Sequence, residues 1–188
     1  MADEPSSETT LRLDDGARVH VRPIRPDDRD AVAAGFERLS PESRYRRFFS
    51  AVPELTSREL DYLTQVDHHD HEALVAVDEE GAGVAVARFV RIGDDVAEPA
   101  IVVADDWQQR GLARMLLDAL AQRAREEGVH RFRAPVLATN DAAIRVLSGL
   151  GDTTRTSLGR EVELTVALPE DEGAGRALVE LLLSLIHI

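Results

Sequence analysis

The residues best placed to do chemistry lie in one stretch, Val103-Ala104-Asp105-Asp106-Trp107-Gln108-Gln109-Arg110-Gly111-Leu112-Ala113. An apolar run, Ala100 to Val103, leads into it, and a helical pattern leads out. Leu112, Met115, Leu116, Ala119 and Leu120 fall at the spacing of one apolar helix face, and Gly128 stands where a C-terminal cap belongs. A strand, a turn and a helix entrance at glycine aim several backbone N–H groups and the positive helix end at one small volume, which suits a phosphate. Gly111 removes the Cβ that would keep an anion at a distance. The chain has no lysine, so the lysine of a P-loop is missing, and the dinucleotide fingerprint G-x-G-x-x-G is absent too. Taken alone, the stretch is either an anion site or a helix start with no ligand. Asp67-His68-His69-Asp70-His71-Glu72 holds the atom types of a metal site. Neighbouring residues at a strand entrance point to opposite faces, however, and do not converge on one ion. The cluster therefore reads as a solvated turn, and no metal is expected.

These residues need elements to position them. Leu11 to Ile24 patterns as a hairpin turning at Asp14-Asp15-Gly16. Pro26-Asp27-Asp28 starts a helix expected to reach Leu39, and Ser40-Pro41-Glu42 starts another carrying Arg44-Tyr45-Arg46-Arg47-Phe48-Phe49. Thr56-x-x-Glu59 is a capping box for a third helix, ending near Val66. Glu72 to Val77 and Gly83 to Ile92 read as strands joined at Asp78-Glu79-Glu80-Gly81, and Val96 to Ala104 as the strand before the loop. Phe132 to Ala138 follows the long helix, which implies a parallel crossover. Asn140 caps a short helix, Asp141 to Ser148, and Glu161 to Leu168 alternates as a closing strand. Pro99 and Pro135 interrupt the two parallel strands, and each argues against an unbroken central sheet. The fold class is a mixed α/β domain whose sheet has six or seven strands.

Length and composition bound the possibilities. A chain of 188 residues suits one domain, and 44% apolar with 30% charged residues is ordinary for a soluble one. The absence of cysteine excludes disulfides, thiolate metal sites and a cysteine nucleophile. All 22 basic residues are arginine, and the net charge of −13 disfavours nucleic acid and anionic membrane as partners. An anionic ligand then needs local help, which Arg110, Arg114 and Arg145 are placed to give. No signal peptide is read at the N-terminus, so the expected compartment is the cytoplasm. Residues 1–10 read as a disordered lead-in, 11–168 as the domain, and 169–188 as an acidic linker with an apolar tail. That tail, Ala177 to Ile188, falls short of the about 20 residues a membrane span needs; a docked helix, a partner surface and a non-native end all remain open for it.

Gln108-x-x-Gly111-x-Ala113 resembles the Q/R-x-x-G-x-G/A pyrophosphate loop of the GNAT acetyltransferases, and the likeness extends over residues 19 to 168. More closely, the chain resembles the catalytic domains of bacterial protein-lysine acetyltransferases of the Pat type. Val21-Arg22-Pro23-Ile24-Arg25-Pro26-Asp27-Asp28 with Leu39 to Phe49, Val66 to Ala76, and Ala97-Glu98-x-Ala100 leading into Asp105-Asp106-Trp107-Gln108 carry that likeness. Within these 188 residues nothing resembles the cyclic-nucleotide or acyl-CoA synthetase domains that often accompany such enzymes.

The resemblance implies a GNAT fold with a splayed central parallel pair and acetyl-CoA as cosubstrate. The acceptor would be a protein lysine or a small amine, and the chain a monomer or homodimer. It implies that the Val103 backbone pairs with the pantetheine arm, that the amides from Gln109 to Arg114 (Gln109, Arg110, Gly111, Leu112, Ala113, Arg114) hold the pyrophosphate with Gln108 opening the same cofactor loop, and that Asn140 lies near the arm. Glu98 becomes the expected general base, since a lysine amine with pKa near 10.4 must lose a proton before it attacks. The Val103 N–H would serve the developing oxyanion. Three positions depart from the family pattern. Leu147 stands where many members have a tyrosine acid, Gln109 replaces a frequent glycine, and Pro99 follows the base directly. A non-catalytic acyl-CoA-binding module is the competing class, and the retained Glu98 argues against it.

Overall fold

The structure, a computed structural model, describes residues 9–169. The expected tail and most of the expected lead-in lie outside the described residues. The chain runs β1 (Thr9–Arg12), β2 (Arg18–Pro23), a 3-10 turn (Pro26–Asp28), α1 (Arg29–Glu37), α2 (Pro41–Phe48), α3 (Ser57–Thr64), β3 (His71–Val77), β4 (Gly83–Gly93) and β5 (Val96–Val103). A second 3-10 turn (Asp105–Trp107), α4 (Leu112–Glu126), β6 (Arg131–Leu137), α5 (Asp141–Ser148), β7 (Asp152–Leu158) and β8 (Glu161–Ala167) complete it. The helix starts follow local chemistry. Ser40 accepts a hydrogen bond from the Ser43 N–H with Pro41 in the first turn, and Thr56 and Glu59 cap each other. The helix expected from Pro26 is a 3-10 turn followed by α1, and it stops at Glu37.

One sheet takes all the strands, in the order β1-β2-β3-β4-β5-β6-β8-β7. It has eight strands, which corrects the expectation of six or seven. The extra one is β7, Asp152-Thr-Thr-Arg-Thr-Ser-Leu158, an edge strand in which every side chain but Thr153 is exposed. Without a buried face it has no apolar alternation to read. It starts after Gly151, where a Cβ would collide with the Ala167 carbonyl.

Every neighbouring pair is antiparallel except β5 and β6. The alternation of side chains divides the sheet into two working faces. Leu74, Ala76, Ala85, Ala87 and Phe89 pack with Leu112, Leu116, Leu117, Leu120 and Ala124 of α4 in the main core. On the other face Ala73, Val75 and Val86 meet α1 through Val32, and Arg88 points the same way as Val86. Among the described residues no helix is long and apolar enough to cross a membrane.

Candidate active site

After β5 the backbone enters a short loop with two left-handed residues, Gln109 (φ 60°) and Gly111 (φ 82°). Gly111 is the N-cap of α4, and the first turn of that helix holds no acidic residue to compete with a ligand. The N–H groups of Gln109, Arg110, Gly111, Leu112 and Ala113 have no acceptor among the described residues. Successive N–H groups in such a conformation form an anion-binding concavity. Only glycine suits the centre of it. A Cβ at Gly111 would be strained by its φ and would stand 3.2 Å from Asp14 Oδ2, which reaches over from the β1–β2 hairpin.

The side chains around the loop hold it in shape. Gln108 Nε2 donates to the Val103 carbonyl at 3.1 Å and to Asp105 Oδ1 at 3.0 Å. Asp105 in turn accepts from the Ser40 N–H at 2.8 Å and from the Ser43 hydroxyl, which ties the start of α2 to the loop. Burial would raise the Asp105 carboxyl, but these serine and Gln108 hydrogen bonds outweigh it and leave its pKa below the ordinary value. Arg110 lies 4.7 Å from the centre of the Trp107 ring, with its Nε 3.1 Å from Asp15. Arg114 bonds Asp118 one turn along the helix at 2.7 Å.

The opening beside this loop has a backbone cause. β5 and β6 pair only at Val96 with Arg131 and Ala97 with Phe132, and then diverge. The Ala104 N–H donates to the Val84 carbonyl at 2.8 Å, just outside the Ala85–Val103 pair. That makes Ala85–Val103 a non-hydrogen-bonded pair, so the N–H and C=O of Val103 point away from β4 and into the gap. By alternation Ile101 and Pro99 face the gap as well. On the opposite wall, Ala138 N–H to Arg160 O at 3.0 Å and Leu168 N–H to His130 O at 2.8 Å fix the same parity, so Arg133, Pro135 and Leu137 face it. Each proline therefore lacks its donor on the side where the sheet is open, and no antiparallel ladder bond is lost. The expected interruption of the sheet occurs, and it is confined to this gap.

The resulting cleft holds about 430 Å³ and is lined by Glu98, Val103, Gln108, Gln109, Gly111, Ala113, Arg114 and Asn140 among others. Glu98 sits one residue past the last β5–β6 pair, exposed, in register with Val90 of β4 and on the face of Arg88. Asn140 caps α5 by accepting the Ala143 N–H at 3.3 Å, and its own N–H is bound to the Leu137 carbonyl. Two expected site residues enter only through their backbone or at the rim. The Leu112 side chain is buried under α4, and the Arg110 guanidinium is turned toward Asp15 and Trp107. Leu147, at the position of the family's tyrosine, is buried in the cleft wall, and no tyrosine, histidine or cysteine lines the cleft among the described residues.

Sequence reasoning missed Arg47 and Ser43 of α2, which also line the cleft. The signal for Arg47 was faint: it stands in the run Arg44-Tyr45-Arg46-Arg47-Phe48-Phe49, which carries the family likeness without assigning it a role. The histidine cluster is a turn only as far as Asp70: His71 and Glu72 already belong to β3, and Glu72, expected to be solvated, is buried at 1% exposure. Asp67 Oδ1 accepts the N–H groups of His69, Asp70 and His71 at 2.8 to 2.9 Å, while the rings disperse. His68 bonds Glu72, His69 bonds Glu127 and His71 meets Arg88. Among the described residues no three metal-ligating side chains come together.

A slot between parallel strands, closed at one end by a row of unpaired N–H groups, takes a long, thin ligand with an anionic group part-way along it. That is the geometry of an acyl-CoA transferase, and the relatives are of that class. Residues 36–151 match the Acetyltransferase (GNAT) family. The chain is 40% identical over 139 residues to Acetyltransferase Pat of Mycolicibacterium smegmatis, covering 72% of this chain and 41% of that one. It thus spans well under half of that relative. It is 33% identical over 143 residues to Acetyltransferase PA5475 of Pseudomonas aeruginosa, covering 74% of this chain and 77% of that one. The solved GNAT domain of S. lividans PAT superposes with a TM-score of 0.82 at 34% identity, over 88% of this chain and 100% of that one. The chain belongs to the GNAT acetyltransferase family.

Proposed function

We propose that this acetyltransferase transfers the acetyl group of acetyl-CoA to a protein lysine, with Glu98 as general base. The observation that carries the reading is the alignment along one cleft of the unpaired N–H groups from Gln109 to Ala113, the gap-facing Val103 backbone and the Glu98 carboxylate. Acetyl-CoA supplies the thioester: the amine nitrogen bonds its carbonyl carbon while the C–S bond breaks and sulfur leaves as thiolate. The loop N–H groups, Arg114 and the positive end of α4 hold the pyrophosphate against a molecule whose net charge is −13. Val103 offers one N–H to the acetyl oxygen as negative charge builds there. Its carbonyl, already accepting from Gln108, keeps a second lone pair for the pantetheine arm.

Glu98 takes the proton that the ammonium must lose, directly or through one water, and the second proton, shed once the C–N bond has formed, passes to solvent. Its exposed place on the floor of the cleft lets a side chain from a macromolecule reach it. A thiol has a pKa near 8.5, so the sulfur departs without a strong acid, and solvent returns its proton where other members use a tyrosine. Incubation with acetyl-CoA and a panel of lysine peptides and small amines tests the reading. Transfer to peptide lysine is expected, and a chain that binds acetyl-CoA yet acetylates no amine contradicts it.

A further inference from the structure

Helix α2 carries three arginines, and the fold satisfies two of them. Arg44 donates to the carbonyls of Leu39, Pro53 and Glu37 at 3.1, 2.6 and 3.1 Å and lies over the Phe36 ring. Arg46 pairs with Glu42 one turn back. Arg47 is half-buried and has no hydrogen bond or ion pair among the described residues; its guanidinium lies 5.0 Å from the centre of the Phe48 ring. It lines the main cleft together with Glu98, and also a small apolar cavity of about 70 Å³ behind it.

Arg47 has a second cation for a neighbour. Arg88 of β4 is only 6% exposed and donates to neutral acceptors, the Leu63 carbonyl at 3.0 Å and His71 Nε2 at 3.1 Å. Burial and the adjacent Arg88 charge push His71 down to about 4, so near neutral pH it brings no further charge. Burial, and after it the field of Arg47, lower Arg88 to about 10. Burial lowers Arg47 too, with Glu98 the main group opposing it. Two guanidinium groups are thus neighbours in a half-dry pocket of an otherwise acidic chain, and Glu98 acts on Arg47 without reaching Arg88. A desolvated cation without its own anion is costly, and guanidinium is matched best by a carboxylate held through two parallel N–H bonds.

We propose that the acceptor brings that anion: the amine to be acetylated lies beside a carboxylate, and Arg47 receives the carboxylate while Glu98 faces the amine. The inference rests on the acetyltransferase reading above and adds the class of acceptor. Its carboxylate has two sources, an acidic residue next to a lysine in a protein or the carboxylate of a free amino acid. Arg47 stands on the Glu98 side of the cleft, so it recognises the acceptor and leaves acetyl-CoA to the α4 loop.

Steady-state kinetics on matched acceptors tests this. Lysine peptides with Glu or Gln beside the lysine form one pair, and a free amino acid and its amide form the other. The wild-type chain is expected to favour the acidic member of at least one pair by about tenfold in kcat/KM, because a site built for a polar group rejects the analogue lacking it. The pair that shows the preference identifies the source. Arg47→Gln should bring the ratio near one through KM, Arg47→Lys should restore part of it, and the KM for acetyl-CoA should not move. Equal rates within both wild-type pairs, or a preference that survives Arg47→Gln, overturn the inference and leave the acetyltransferase reading standing. The wild-type comparison needs no variant, so a poorly folded Arg47→Gln does not shield it. If no acceptor of any kind is acetylated, both readings fall together.

Discussion

Glu98 and Gly111 both line the cleft, and single substitutions separate the jobs proposed for them. Replacing Glu98 with Gln keeps the shape of the cleft floor and removes the proposed base. Acetylation should fall about 10²-fold near neutral pH while acetyl-CoA affinity holds. The deficit should narrow as pH approaches the pKa of the acceptor, where the amine loses its proton unaided. Rate–pH profiles of both proteins check this, and wild-type turnover at pH 7 would remove Glu98 from the mechanism. Gly111→Asp instead puts a Cβ at a left-handed position, beside Asp14 and within the row of N–H groups. Calorimetry should show acetyl-CoA binding weakened at least about tenfold, roughly 1.4 kcal/mol, in a folded variant. Unchanged affinity would move the pyrophosphate elsewhere.

Between elements, the joint of β2 and α1 is an ion pair whose role depends on pH. Asp28 is 7% exposed, takes both ends of the Arg22 guanidinium at 2.7 and 2.8 Å, and also accepts the Arg25 N–H. Burial raises its carboxyl, but the Arg22 hydrogen bonds, the Arg25 N–H and the two positive charges outweigh that and leave its pKa depressed. A depressed folded pKa means stability that is present above the ordinary carboxylate pKa and lost as pH falls through the folded value. Asp28→Asn should cost about 2–4 kcal/mol in urea unfolding at pH 7, because Arg22 loses its buried partner. The gap from wild type should shrink toward pH 3, and a gap constant with pH would contradict the assignment.

Element starts of this kind were legible in the sequence, since Ser40 with Pro41, Thr56 with Glu59 and Asn140 each act within one turn of their own helix. The geometry of the loop before α4 was legible for the same reason, because left-handed Gly111 and the following helix are local. Longer-range relations were not. Strand β7 has no buried face to give a period, and Arg47 meets Glu98 and Arg88 only after α2 docks on the sheet. Pro99 and Pro135 argued against an unbroken sheet, and only the family resemblance with its splayed pair accommodated them, because the direction of a missing N–H is set by strand pairing and not by residue type.

Across the whole molecule the charge is acidic and the cations are exclusively arginine. The only primary amine of the 188-residue polypeptide is then its own α-amino group, with a pKa near 7.7 to 8.0. Prolonged incubation with acetyl-CoA should give at most one stable acetyl adduct per chain, located at the N-terminus. Intact-mass spectra showing two or more hydroxylamine-resistant adducts would refute this. The gap between β5 and β6 has a consequence on the same scale. A split sheet carries two raw strand edges inside the molecule, each able to recruit any extended polypeptide that drifts past, as exposed edges do. Here both edges are blunted from within. Along the open stretch Pro99 and Pro135 withhold a donor from either margin, so an invading strand meets interrupted ladders on both sides. The slot proposed for a slender thioester is for that reason a poor template for aggregation.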